Sequence, residues 1–266
     1  MIGAIFGDVV GSIYEFDNIK TTEFQLFSRD CTFTDDTVMT VAVAEALMQY
    51  SRSGGVERFK NLLIAAMHRY GDRYPDAGYG GRFYGWVTDP TQTLPYNSYG
   101  NGSAMRVSAV GWYADSLEEA LTLAEASAAV THNHPEGIAG AVATAGAVYL
   151  ARNGASREAI REFVSQYYTL DFTLDEIRPT YTFTERCADT VPQAMQAFFE
   201  SEDFEDAIRL AVSIGGDSDT LAAITGAVAE AYYGMEKRQQ FRALSYLDPA
   251  LCDVATMFAN GFCQPR

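Results

Sequence analysis

Two short stretches of this chain crowd carboxylates and hydroxyls into single turns. They are Thr34-Asp35-Asp36-Thr37 and Gly215-Gly216-Asp217-Ser218-Asp219-Thr220, and each leads into a run with helical spacing. Asp, Ser and Thr at a helix start satisfy free N–H groups and suit the helix dipole, worth about 0.5–2 kcal/mol per cap. A cap needs one such residue, however, and Asp35 beside Asp36 adds a repulsion that capping does not call for. Paired acidic turns suit hard cations, because Mg²⁺, Mn²⁺ and Ca²⁺ take oxygen ligands from carboxylates, hydroxyls and water. With three histidines and four cysteines that form no CxxC pair, zinc is disfavoured. Turns that converged in space would hold two ions about 3.5–4 Å apart, the spacing of hydrolytic two-metal sites.

Helical periodicity supplies the elements that would position these turns. Ile2 to Phe16 reads as a helix with Gly3, Gly7 and Gly11 on one face. Glycine costs roughly 1 kcal/mol per site relative to Ala in a helix, so three in register predict close backbone approach to a neighbour. Asp8 and Glu15, seven apart, would share a face. Asp36 to Tyr50 reads as a helix with Val38, Val41, Ala42 and Ala46 inward. Further helices are predicted over Glu57–Tyr70, Leu117–Val130, Gly137–Ala151, Arg157–Tyr167, Pro192–Phe199, Phe204–Ile214, Thr220–Tyr233 and, last, Lys237–Leu247. The Ala/Gly/Val-rich Gly137–Leu150 stretch predicts a buried, closely packed helix. Pro179 to Thr184 alternates, but reads as loop or a stray strand. Gly71 to Gly102 is the longest irregular segment, and its seven aromatics argue that it is ordered. No run of βαβ units appears. The expectation is one all-α domain over residues 1–266.

The 266 residues carry a net charge of −16, with 48% apolar and 20% charged side chains. That composition is globular. The charge argues against general nucleic-acid or anionic-membrane binding, since the mean field repels polyanions, but leaves open a small anion held locally. The start has no basic n-region and Asp8 interrupts its apolar stretch, so no signal peptide is expected. Cys31, Cys187, Cys252 and Cys263 read as reduced core thiols of a cytoplasmic protein. A monomer is the default.

Taken together and in order, four motifs resemble the ADP-ribosylglycohydrolase family, which includes the dinitrogenase-reductase-activating glycohydrolases. They are the opening segment Gly3 to Glu15, the Thr34–Thr37 turn, the loop Ser98-Tyr99-Gly100-Asn101-Gly102-Ser103-Ala104-Met105-Arg106, and Gly216–Thr220; Thr131-His132 through Pro135 is a supporting match. The resemblance implies an all-α orthogonal helix bundle with two divalent cations, Mg²⁺ or Mn²⁺. It implies Thr34, Asp35 and Asp36 as metal ligands from one side and Asp217, Asp219 and Thr220 from the other. Glu15 matches a first-helix acid associated with catalysis, alongside Asp35 and Asp36. Tyr99, Gly100, Asn101, Gly102, Ser103 and Met105 match the substrate loop, with Tyr99 where some relatives stack adenine. His132 matches a ligand-binding histidine, and Ser218 sits where relatives vary.

The reaction so implied is hydrolysis of the N- or O-glycosidic bond between ADP-ribose and a protein side chain or small molecule. Metal ions would cancel the local carboxylate charge, position ribose hydroxyls and activate water. Glycosyl transfer to water passes through an oxocarbenium-like transition state. Glu15 would orient substrate or transfer protons, or alternatively bind metal. Arg106 reads as a structural ion pair or a phosphate ligand. The acceptor linkage is open among arginine, serine, threonine, O-acetyl, nucleic acid and poly(ADP-ribose). Two other readings compete: a non-catalytic ADP-ribose-binding or structural member, and a Mg²⁺-dependent hydrolase of another nucleotide diphosphate.

Overall fold

The computed structural model describes residues 1–263. In it the glycine face of the first helix, α1 (Ile2–Gly11), lies against a late helix, α13 (Ser218–Tyr233). A Cβ on Gly3, Gly7 or Gly11 would collide with the backbone of Gly226, Ala222 or Ser218–Asp219 respectively. The three glycines therefore exist to let two backbones touch, as their spacing predicts. This contact brings Asp8 and the end of α1 beside the start of α13, and so joins the two ends of the chain at the site described below.

The intervening helices are α2 (Asp35–Gln49), α3 (Gly55–Arg73), α4 (Gly81–Val87), α5 (Gly102–Met105), α6 (Ser108–Tyr113), α7 (Leu117–Ala129), α8 (Pro135–Arg152), α9 (Arg157–Val164), α10 (Leu174–Ile177), α11 (Cys187–Glu200) and α12 (Phe204–Ser213). After α13 come α14 (Lys237–Leu244) and α15 (Pro249–Phe262). Together they form an all-α orthogonal bundle around one core. No strand occurs among the described residues; Gly100 and Arg186 form an isolated antiparallel bridge. Among these residues no helix is long and apolar enough to cross a membrane.

Val38, Val41, Ala42 and Ala46 are all buried. α8 is the expected close-packed helix: Gly111 of α6 abuts Val148, while Gly140 and Gly146 abut Cys187 and Phe163. Cys31 and Cys187 are buried, and all four cysteines are free.

Several boundaries differ from the sequence reading. α1 stops at Gly11 rather than Phe16, and a tight 3₁₀ turn, Ser12–Tyr14, carries the chain to Glu15. Asp8 and Glu15 thus reach the site from different elements, not from one helical face. α11 begins five residues before Pro192, which sits inside it and forgoes one backbone bond. The long irregular segment holds α4. α15 lies beyond the helix expected to be last; Asp248 caps it, its carboxylate accepting from the N–H groups of Ala250 and Leu251.

Candidate active site and metal centre

The Thr34–Thr37 turn is built on Asp8. This wholly buried carboxylate accepts from the Thr34 N–H (3.0 Å), the Thr34 hydroxyl (2.7 Å), the Thr37 N–H (3.1 Å) and the Thr37 hydroxyl. Burial still pushes its pKa up, outweighing those bonds. Thr34 caps α2: its Oγ1 accepts from the Asp36 N–H (3.2 Å) while donating to Asp8. The Asp35 N–H donates to the Ala77 carbonyl (2.8 Å), pinning the Gly-rich loop to the same turn.

The second turn needs Gly215 and Gly216 at φ +68° and +78°, a region other residues rarely adopt. Asn18 holds it. Its side-chain amide donates to the carbonyls of Gly216 (2.9 Å), Tyr14 (2.6 Å) and Glu15 (2.9 Å), and its Oδ1 accepts from the Gly216 N–H (2.7 Å). Asn18 therefore locks the Glu15 segment to the turn that carries Asp217 and Asp219.

The two turns meet. Thr220 of α13 donates its hydroxyl to Asp36 of α2 across 3.2 Å. Glu15, Asp217 and Asp219 each offer a carboxylate oxygen within 4.8 Å of the others. Asn101 donates its side-chain amide to Asp217 (2.7 Å) and Thr190 (3.2 Å). Such crowding of buried acids raises their pKa values. Glu15, half-buried, is pushed up to about 8, by burial first and then by the charges of Asp219, Asp8 and Glu185. Asp217 is raised to about 6, mainly by burial. Asp35, Asp36 and Asp219 are held well above the carboxylate range, again by burial first and then by neighbouring charges, Asp219 and Asp8 for the first two and Asp217 and Asp8 for Asp219. Asp36 Oδ1 is buried without a hydrogen-bond partner, which is costly for a carboxylate oxygen. Acids placed this way suit a divalent cation better than they suit each other.

The acids other than Asp8 help to line a cavity of about 420 Å³. Of the residues singled out from sequence, Glu15, Asp35, Asp36, Tyr99, Gly100, Asn101, Gly102, Met105, His132, Asp217, Asp219 and Thr220 line it. Thr34, Ser103 and Ser218 do not. Thr34 is turned to its cap. The Ser103 hydroxyl donates to the Gly137 carbonyl (2.6 Å), and the Ser218 hydroxyl faces the carbonyls of Tyr14 (3.3 Å) and Gly216 (3.4 Å). Within the Gly-Asn-Gly loop, the Gly100 N–H donates to Ser98 Oγ and the Asn101 N–H to the Glu185 carbonyl, so both fold the loop.

The chain belongs to the ADP-ribosylglycohydrolase family. That family's profile matches residues 1–247. The chain is similar to human ADP-ribosylhydrolase ARH3, with 27% identity covering 89% of this chain and 85% of that one. It is also similar to ADP-ribosylarginine hydrolase Tri1 of Pseudomonas putida, with 26% identity covering 88% of this chain and 70% of the relative. A solved ADP-ribosylglycohydrolase-related protein complex shares the fold, with a TM-score of 0.65 and 24% identity over 97% of this chain and 96% of that chain. Family membership carries the coarse activity: an ADP-ribosyl glycohydrolase acting on a glycosidic bond to ADP-ribose. The family is metal-dependent, and the acidic cluster of this chain could hold a cation.

Sequence reasoning assigned no role to several residues that line the cavity: Arg82, Phe83, Tyr96, Phe183 and Glu185. Gly78, Gly80 and Gly81, in sequence only a weak glycine signal for phosphate, form part of its wall. The aromatic density of 71–102 was the available signal for Phe83 and Tyr96. Asn18 had none, because the partner that gives it its role, Gly216, lies 198 residues away. Arg106 also lines the cavity although it is wholly buried; it donates to the Ser127 carbonyl and the Thr131 hydroxyl (both 2.9 Å) and forms no ion pair among the described residues.

Proposed function

We propose that this protein hydrolyses the N- or O-glycosidic bond between ADP-ribose and an acceptor, a protein side chain or a small molecule, at a centre of two Mg²⁺ or Mn²⁺ ions. Asp35, Asp36, Asp217, Asp219 and Thr220 would hold the ions, with the remaining lone pair of Thr34 in reserve. The observation that carries the reading is the Thr220–Asp36 hydrogen bond, which joins two acidic turns 184 residues apart at one cavity. Bound cations would supply Lewis acidity and an activated water.

The chain's own residues do the rest. Asp8 fixes the first turn, Asn18 and Asn101 fix the second, and neither asparagine needs to touch substrate to matter. Glu15 lies within the carboxylate group rather than apart from it, which favours metal ligation or orientation of a metal-adjacent hydroxyl over an independent acid. Tyr99 would stack a nucleobase; its support is a half-exposed ring that lines the cavity, 5.6 Å from that of His134. His132 and the Gly100–Gly102 wall would face the ribose and diphosphate.

The test is a linkage panel. Arg-, Ser- and Thr-linked ADP-ribosyl peptides, O-acetyl-ADP-ribose and other nucleotide diphosphates are incubated with protein and Mg²⁺ or Mn²⁺, and free ADP-ribose is measured. Release from one linkage, abolished by Asp35→Ala and Asp217→Ala, is expected. Turnover of the other nucleotides alone, or metal binding with no turnover, would replace this reading by one of its two competitors.

A further inference from the structure

A hydrogen-bond chain runs to His132 in the cavity wall from Arg106 and Thr131, two residues that the reading above gives no role. Arg106 donates through Nη2 to Thr131 Oγ1 (2.9 Å), and Thr131 Oγ1 lies 2.7 Å from His132 Nδ1. We propose that Arg106 and Thr131 are positioning residues that hold His132 as the neutral Nε2–H tautomer, giving the cavity one fixed N–H donor beside Gly100 and Gly102.

The tautomer follows from counting donors. A guanidinium has no acceptor, so Thr131 Oγ1 must receive from Arg106. Thr131 is wholly buried, and His132 Nδ1 is the one acceptor its hydroxyl proton reaches among the described residues. Were Nδ1 protonated instead, that hydroxyl proton would be stranded in the core, at a cost comparable to a lost hydrogen bond. Nδ1 therefore accepts, and the ring's proton sits on Nε2. The doubly protonated ring is disfavoured too: burial comes first, followed by the charges of Arg106 and Arg82. Tyr96 packs beside the ring with centroids 6.1 Å apart.

Nε2 points at the substrate loop. A Cβ added at Gly102 would lie 3.2 Å from it, and one at Gly100 3.6 Å. An N–H there donates to an oxygen of the ligand and cannot accept from a hydroxyl, so it favours a phosphate or carbonyl-type oxygen. That the oxygen belongs to ADP-ribose rests on the proposed function; the tautomer does not.

The full-length protein labelled with ¹⁵N-histidine settles the tautomer by NMR without substrate. Only three histidines need assigning, and His132→Gln identifies the signal. The expected result is an Nε2–H with an unprotonated, hydrogen-bonded Nδ1, unchanged from pH 5.5 to 8. An Nδ1–H, or an imidazolium at pH 7, overturns the proposal. Thr131→Val should mix the tautomers and weaken ADP-ribose binding, measured calorimetrically with Mg²⁺, about tenfold, the loss of one hydrogen bond. Thr131→Ser should restore both. Wild-type affinity in Thr131→Val with the tautomer mixed refutes the positioning role. A wild-type protein that shows the tautomer but binds no ADP-ribose refutes the proposed function and leaves the Arg106–Thr131 relay standing.

Discussion

Replacing Asp8 separates hydrogen-bond geometry from charge at the acidic centre. Three of its four bonds end on Oδ2, from the Thr34 N–H, the Thr37 N–H and the Thr37 hydroxyl; the fourth, from the Thr34 hydroxyl, ends on Oδ1. Asp8→Ala leaves the N–H groups of the cap Thr34 and of Thr37 in the first turn of α2 without acceptors, each costing about 1–3 kcal/mol when buried. The hydroxyls turn elsewhere, and removal of a buried acid returns some desolvation energy. The net expectation is a loss of about 3 kcal/mol, or roughly 6–12 °C in Tm for a chain of this size. Asp8→Asn differs. Its amide oxygen takes over the three bonds at Oδ2, and its NH₂ faces Thr34 Oγ1, which accepts in place of donating. Like-charge repulsion in the centre falls as well. Asp8→Asn should therefore stay within about 1 kcal/mol of wild type by the same accounting. Urea unfolding in EDTA, followed by circular dichroism, keeps metal binding out of the comparison. An Asp8→Ala midpoint equal to wild type refutes the capping role. An Asp8→Asn loss as large as that of alanine refutes the geometric argument and points to the charge instead.

The raised carboxyl pKa values give the metal-free protein a defined pH response. Unfolded acids titrate near 4 while Asp217 and Glu15 in the fold titrate near 6 and 8, so the folded state holds extra protons between those values. Stability is complete below about pH 4 as regards these groups and declines as pH rises toward 8; Tm in EDTA should be lower at pH 8 than at pH 5.5, and excess Mn²⁺ should raise it more at pH 8. A Tm in EDTA that rises over this interval contradicts the cluster's assignment. Asn18→Ala should lower kcat about 10- to 100-fold at saturating metal, since small displacements of reacting groups cost that much; unchanged ADP-ribose release would show that the Glu15 segment needs no such lock. Gly7→Ala places a methyl against the Ala222 carbonyl and should cost about 1–3 kcal/mol by forcing α1 from α13, read as a lowered thermal midpoint.

How much of this was legible depended on how local the cause was. The glycine stripe named its own function, because a four-residue period has one reading on a helix. The two acidic turns were visible as ligand-type chemistry for the same reason. What α1 does after Gly11 was not visible: a helix through Phe16 fits the local pattern, but Asn18 binds Tyr14, Glu15 and Gly216 together and bends the chain away. The Ser103 and Ser218 hydroxyls had the right type for substrate contact, yet each found a backbone acceptor inside its own fold. α15 was readable and missed; Asp248-Pro249 is a cap followed by a first-turn proline, and Leu251, Ala255, Phe258 and Phe262 keep helical spacing.

The position of the acids decides how a chain of charge −16 would handle an anionic ligand. Asp35 and Asp36 open a helix of 15 residues, and Asp217 to Asp219 open one of 16. Both helix dipoles therefore point their positive ends at the cavity, which offsets roughly 0.3–1 kcal/mol per carboxylate near a terminus. That is too little for five mutually repelling acids, as their raised pKa values record. Without cations, protons must make up the difference. If two divalent ions bind as proposed, the same acids would become ligands, the local charge would approach balance, and the helix termini would add a positive field. A diphosphate could then approach a centre that would repel it in the metal-free protein. On this view ligand affinity should depend on metal far more steeply than on ionic strength. ADP-ribose titrations with and without Mn²⁺, each at low and high salt, measure the two dependences directly. Binding that survives EDTA but collapses in salt would place the attraction on surface cations instead.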